Sequence, residues 1–302
     1  MNAHQRMKNL CVPNRPVDVV LDTDAYNEID DQFAIAYLLR CADRLRTQAI
    51  YAAPFENEKS ENAADGMEKS YLEILKLLNL MDLQMDVFKG SDRFLPNEST
   101  PVDSPAARDL AQRAENYSPE NPLYVVAIGA ITNVASAILL NPHVAENTVV
   151  VWLGGHGQHY HDTHEFNMKQ DVAAARVVMG SGVPFVQLPC FGVVSSFTIS
   201  GPELEHWFVG KNPVADYLAK NTIAEAESYA AGTPWSRAIW DVTAVAWLCN
   251  TDERFMYSRI LPTRLPGYDH QYETQDTGAD MCYVYYIRRD ALWNEVVRRI
   301  TQ

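Results

Sequence analysis

Between Val17 and Pro189, short apolar, largely β-branched runs alternate with longer runs of helical period. Few folds accept that pattern, because strands separated by helices pair in parallel and bury both sheet faces under the helices. The strand-like runs are Val17–Leu21, Gln48–Ala53, Met85–Phe88, Leu123–Ile128, Thr148–Leu153 and Pro184–Pro189. Between them lie helix-like runs over Gln32–Arg40, around Met67, Tyr71, Ile74 and Leu77, from Ser104-Pro105 onward, over Thr132–Leu140 and over Asp171–Met179. Ser104-Pro105 is a cap followed by a helix-first proline. The last third reads as more helical, with Pro202–Val209, Pro213–Ala231, Asp241–Leu248 and Asp290–Ile300, plus one strand at Met281–Ile287. The expectation is a single α/β domain over residues 1–302: a mostly parallel central sheet, helices on both faces and a helical C-terminal cap.

One connection in this pattern is chemically unusual. Asp22-Thr-Asp-Ala-Tyr-Asn-Glu-Ile-Asp-Asp31 puts five carboxylates into ten residues, directly after a buried strand and at the start of a helix. Like charges this close raise one another's pKa values unless something neutralises them. Ca²⁺ and Mg²⁺ take oxygen ligands and tolerate several carboxylates, so the stretch points to a hard-cation site. Asp30 and Asp31, in the first helical turn, also meet the positive end of the helix dipole.

Composition narrows the class. A net charge of −14 disfavours nucleic acid backbones and anionic membranes as partners. No run is long and apolar enough to span a bilayer, and Met1–Pro13 carries no hydrophobic signal core. Five scattered cysteines without C-x-x-C spacing suggest reduced thiols, and a soluble cytoplasmic protein is the expectation.

Ligands of parallel sheets bind outside the carboxyl ends of the strands. Asn57 follows the second strand, and Ile128 ends the fourth with its carbonyl near the same crevice. Gly154-Gly155 opens a loop holding His156, His159, His161, His164, Glu165 and Asn167. These histidines have no Cys partner and no H-E-x-x-H helix, so the zinc patterns are absent. Asp241 precedes an apolar helix, next to Trp240.

Taken together, these segments resemble the calcium-dependent nucleoside hydrolases, of the inosine-uridine preferring type. The resemblance rests on Asp22-x-Asp24 with Asp30-Asp31, Ala127-Ile-Gly-Ala-Ile-Thr-Asn133, Gly154-Gly155 before Glu165-Phe-Asn167, and Asp241 before an Ala-rich helix. It runs in order from about residue 17 to 300 and implies a Rossmann-like fold. It further implies Ca²⁺ held by Asp24, Asp31, Asp241 and the carbonyl of Ile128, with Asp24 also the general base. Asp30, Asn57, Glu165 and Asn167 would hold ribose hydroxyls. His159 stands near a position where the family has an Asn. A nucleoside substrate, purine or pyrimidine salvage and a homodimer or homotetramer are implied with it. In two places the chain departs from the family. Five residues separate Asp24 from Asp30, two more than usual, and Trp240 stands where many members carry a His that protonates the leaving base. A histidine of the 156–164 loop, or Trp240 stacking on the base, would then assist its departure. Two alternatives stay open at this level: a non-catalytic nucleoside or sugar binder, and an Mg²⁺-dependent phosphatase using Asp22 as nucleophile.

Overall fold

The computed structural model describes residues 1–302. Eight strands form the central sheet in the order β3-β2-β1-β4-β5-β6-β10-β9. They are β1 (Val17–Thr23), β2 (Leu45–Ala52), β3 (Val87–Lys89), β4 (Leu123–Ala127), β5 (Thr148–Leu153), β6 (Phe185–Leu188), β9 (Met256–Pro266) and β10 (Tyr272–Ile287). All neighbours pair in parallel except β9 with β10. Two short strands, β7 (Thr198–Ser200) and β8 (Ser236–Ala238), form a separate antiparallel pair.

Strand alternation sorts the core into two layers. Val19 and Leu21 of β1, Val126 of β4 and Val149, Val151 and Leu153 of β5 face one layer. Val20, Val125, Val150 and Trp152 face the other. The first layer is closed by the helices Asp30–Arg40, Ala63–Leu80, Val242–Trp247 and Arg289–Ile300, through Phe33, Ile74, Trp247 and Val296. The second is closed by Pro105–Arg113, Thr132–Leu140 and Val172–Gly180, through Leu110, Val134 and Val178. Both faces are therefore covered, as the near-continuous apolar strands require.

The expected cap at Ser104 forms. Ser104 Oγ accepts from the Ala107 amide at 3.2 Å, with Pro105 in the first turn. The last third departs from the expected helical cap, because it also adds an antiparallel hairpin to the sheet. β10 begins nine residues before Met281, and β9 lies at the outer edge. Met256–Pro266 carries two prolines and three arginine or serine side chains among its apolar ones, a composition that suits an edge strand and hides its period. The polar N-terminus also forms a short helix, Ala3–Asn9, whose Asn2 cap accepts from the Gln5 amide at 2.8 Å. No helix is long and apolar enough to cross a membrane.

Candidate active site

The strand order reverses at β1, which lies between β2 and β4. Crevices for ligands open at such switch points, outside the carboxyl ends of the strands. Here a cavity of about 230 Å³ opens, and segments after β1, β4, β5 and β6 line it.

β1 delivers Asp22, Thr23 and Asp24, all buried. Asp22 turns away from the cavity and accepts from Asn133 Nδ2 at 2.7 Å. Burial pushes its pKa up to about 7, with the Asn133 bond opposing. A nucleophilic role for Asp22, as the phosphatase alternative requires, does not fit that placement. Asp24 turns inward, and neither of its buried carboxylate oxygens has a hydrogen-bond partner. A Cβ on Gly129 would come within 2.8 Å of Asp24 Oδ1, so only glycine leaves room there.

The helix Asp30–Arg40 begins at the cavity floor, and the helix Val242–Trp247 packs beside it with Asp241 at its start. Ligand oxygens of Asp30, Asp31 and Asp241 lie within 4.8 Å of one another. Thr23 Oγ1 donates to Asp31 Oδ1 at 2.5 Å, and the Asp241 amide approaches Asp30 Oδ2 at 3.4 Å. Burial raises the Asp31 pKa to about 7, the Thr23 bond opposing. Asp24, Asp30 and Asp241 are all raised well above the usual carboxylate range. Burial is the main cause in each, followed by Asp31 for Asp24, Glu28 for Asp30 and Asp30 for Asp241. Four carboxylates buried together demand neutralisation, and three of them, Asp30, Asp31 and Asp241, lie close enough to hold a metal ion.

From β5, the loop after Gly154-Gly155 brings Glu165 and Asn167 to the opposite wall. Glu165 caps the helix Phe166–Gln170: its oxygens accept from the amides of Gly155 (2.8 Å), Asn167 (2.8 Å) and Met168 (2.9 Å). Those bonds pull its pKa down against the larger effect of burial, which leaves it raised. Asn167 Nδ2 donates to the carbonyls of Leu153 (3.0 Å) and Ile128 (3.2 Å), tying the cavity walls of β4 and β5 together.

Of the ten residues that the family resemblance marks one by one, eight line this cavity, Asp24, Asp30, Asp31, Ile128, Glu165, Asn167, Trp240 and Asp241, and His156 and His164 of the loop line it with them. Two of the ten do not. Asn57 sits behind the wall, where its Nδ2 donates to Asn27 Oδ1 at 2.6 Å, so Asn27 is the amide that reaches the cavity. His159 is exposed and packs over Gly192, because the chain turns back on itself where the Tyr160 amide meets the Gly157 carbonyl at 2.7 Å. Glu28, in the longer part of the acidic loop, lies at the rim and pairs with Arg237 at 3.2 Å. Cys190 and Phe191 line the cavity and were not singled out. Their signal was available: they directly follow β6, whose carboxyl end shares the same sheet edge.

Comparison with known proteins agrees with this arrangement. The family model described as inosine-uridine preferring nucleoside hydrolase matches residues 19–285. The non-specific ribonucleoside hydrolase RihC of Salmonella agona (strain SL483) is 25% identical over 294 residues, covering 87% of each chain. The probable uridine nucleosidase 2 of Arabidopsis thaliana is 24% identical over 222 residues, or 67% of each chain. The fold matches that of a purine-preferring ribonucleoside hydrolase from Gardnerella vaginalis with a TM-score of 0.72, at 20% identity, covering 94% of this chain and 98% of that one. The chain belongs to the inosine-uridine preferring nucleoside hydrolase family, and its enzyme class is N-glycosyl hydrolase.

Proposed function

We propose that the protein hydrolyses the N-glycosidic bond of ribonucleosides, releasing ribose and free base, with Ca²⁺ held by Asp24, Asp31, Asp241 and the Ile128 carbonyl. Asp24 is the general base. The observation that carries this reading is the buried cluster of Asp30, Asp31 and Asp241, with Asp24 beside it and both Asp24 oxygens unpartnered. Every donor there is oxygen, which suits a hard divalent cation better than zinc. When bound, such a cation supplies the Lewis acidity that lowers the pKa of a coordinated water.

The chain's own groups do the rest. Asp24 accepts the proton of the attacking water through an oxygen that no other group occupies. Asp30, Glu165 and Asn167 hold ribose hydroxyls, and the three amides on Glu165 keep its carboxylate in one orientation. Positive charge that develops on the sugar as the bond breaks is stabilised by the surrounding carboxylates. The same carboxylates repel phosphate, which favours nucleosides over nucleotides.

Asp24→Asn keeps the side chain's shape and removes its basicity. Ribose release from inosine or uridine should fall by about 10³-fold or more. Turnover at the wild-type rate in that variant would refute the assignment of Asp24.

A further inference from the structure

A glycosidic bond to a nucleobase breaks with its electron pair going to the base nitrogen, and the unprotonated base is a poor leaving group. The cavity needs a proton donor facing away from the acidic cluster, whose carboxylates only accept once a bound cation holds them ionised. Asn167 spends its amide hydrogens on two carbonyls. Trp240 meets Phe191 edge-on at 5.6 Å, and an indole N–H does not give up its proton near neutral pH. Burial, with Glu165 and Asp241 nearby, pushes the Cys190 thiol well up, so it holds its proton. His164 is exposed and stacks on His270 at 3.9 Å.

His156 differs from all of these. It lines the cavity and is only 4% exposed. Its ring stacks on Phe191 at 4.8 Å and 24° and packs against Tyr160 at 4.7 Å, so its plane is fixed. In the neutral ring Nδ1 accepts from the Phe191 amide at 3.4 Å, a long bond that the ring gives up on protonation. Nε2 lies 3.9 Å from Asp162 Oδ1, a carboxylate that steadies the protonated ring. From this geometry we infer that His156 is the leaving-group acid, delivering a proton from Nε2 to the departing base. The inference rests on the hydrolase reading above.

The step balances without any further reagent. The bond from C1′ to the base nitrogen breaks and its electron pair goes to the base. The imidazolium Nε2–H bond breaks and its proton joins the base, leaving a neutral ring with its remaining proton on Nδ1, which solvent exchange moves to Nε2. Water adds to C1′ while Asp24 takes its proton, and solvent exchange returns one proton to the ring and removes one from Asp24. The groups facing the ring are Asp162, which favours its charged form, and His161, His164 and Lys169, which with burial disfavour it. Burial dominates and holds the His156 pKa below the usual imidazole value, making the protonated ring a stronger acid.

The test compares wild type, His156→Gln and Asp24→Asn on inosine, uridine and p-nitrophenyl β-D-ribofuranoside, whose nitrophenolate departs without a proton. For His156→Gln, kcat on the nucleosides should drop about 10²- to 10³-fold. On the nitrophenyl riboside it should stay within about threefold of wild type, which also shows that the variant is folded. Asp24→Asn should lose both activities. Equal losses on both substrate types in His156→Gln, or no loss on the nucleosides, would overturn the inference. A wild-type enzyme that cleaves only the nitrophenyl riboside would overturn both this inference and the nucleoside reading, whereas an active wild type with equal losses in His156→Gln overturns the inference alone. A wild-type enzyme that cleaves neither would sink the hydrolase reading and this inference with it.

Discussion

Asn133 is fully buried, and its amide is used on both ends. Nδ2 donates to Asp22 Oδ1 at 2.7 Å and to the Ala52 carbonyl at 3.2 Å, while Oδ1 accepts from the Ser91 amide (2.7 Å) and hydroxyl (2.8 Å). Asn133→Leu would leave all four partners buried and unpaired, costing about 2–4 kcal/mol. Urea denaturation measures this, and a loss below about 0.5 kcal/mol would contradict the hub role. At this scale the sequence exposed the carboxylates, because five of them in ten residues stand out wherever they occur. It did not expose Asn133's work, whose partners lie 42, 81 and 111 positions away. Nor did it separate His156 from His159. One short turn at Gly157–Tyr160 decides which ring faces the cavity.

The acidic loop is fastened by charges from distant elements. Arg237 of β8 pairs with Glu28 at 3.2 Å and with Glu225 at 3.4 Å, and Lys59 pairs with Glu225 at 2.7 Å and donates to the Asn27 carbonyl at 2.8 Å. These groups are partly exposed, so their worth lies in placing the loop that carries Asn27 and Glu28 rather than in stability. Arg237→Ala should raise KM for the nucleoside several-fold while kcat changes less than about twofold, and wild-type KM should rise with added salt. An unchanged KM would show that the loop holds its place unaided. The alternation of strands and helices was legible because buried strands and amphipathic helices leave strong periods. β7 and β8 were not, since three residues carry no period. The first nine residues of β10, Tyr272–Asp280, are largely exposed and polar, so they bury no face to mark them.

Across the whole molecule, the buried carboxylates couple stability to pH and to the cation. Asp22 and Asp31 are raised to about 7 by burial, and Asp24, Asp30 and Asp241 also move upward. An acid whose folded pKa exceeds its unfolded value stabilises the fold below the unfolded pKa. That contribution is lost as pH climbs through the folded one. The chelated protein should therefore melt at a lower temperature at about pH 8 than at about pH 5. Calcium should raise the melting temperature more at the higher pH, where its ligands are already deprotonated. Thermal melts with chelator or calcium across that range read both effects, and a calcium shift that shrinks with rising pH would contradict this linkage.

Ribose release from inosine and uridine by the wild-type protein, followed with calcium and with a calcium chelator, decides whether the buried carboxylates form a metal-dependent hydrolase site. Ribose and free base should appear in equal amounts with calcium, turnover should be lost on chelation, and it should recover when calcium is restored. Full turnover in the presence of the chelator, or calcium binding with no release from any nucleoside, would contradict that reading.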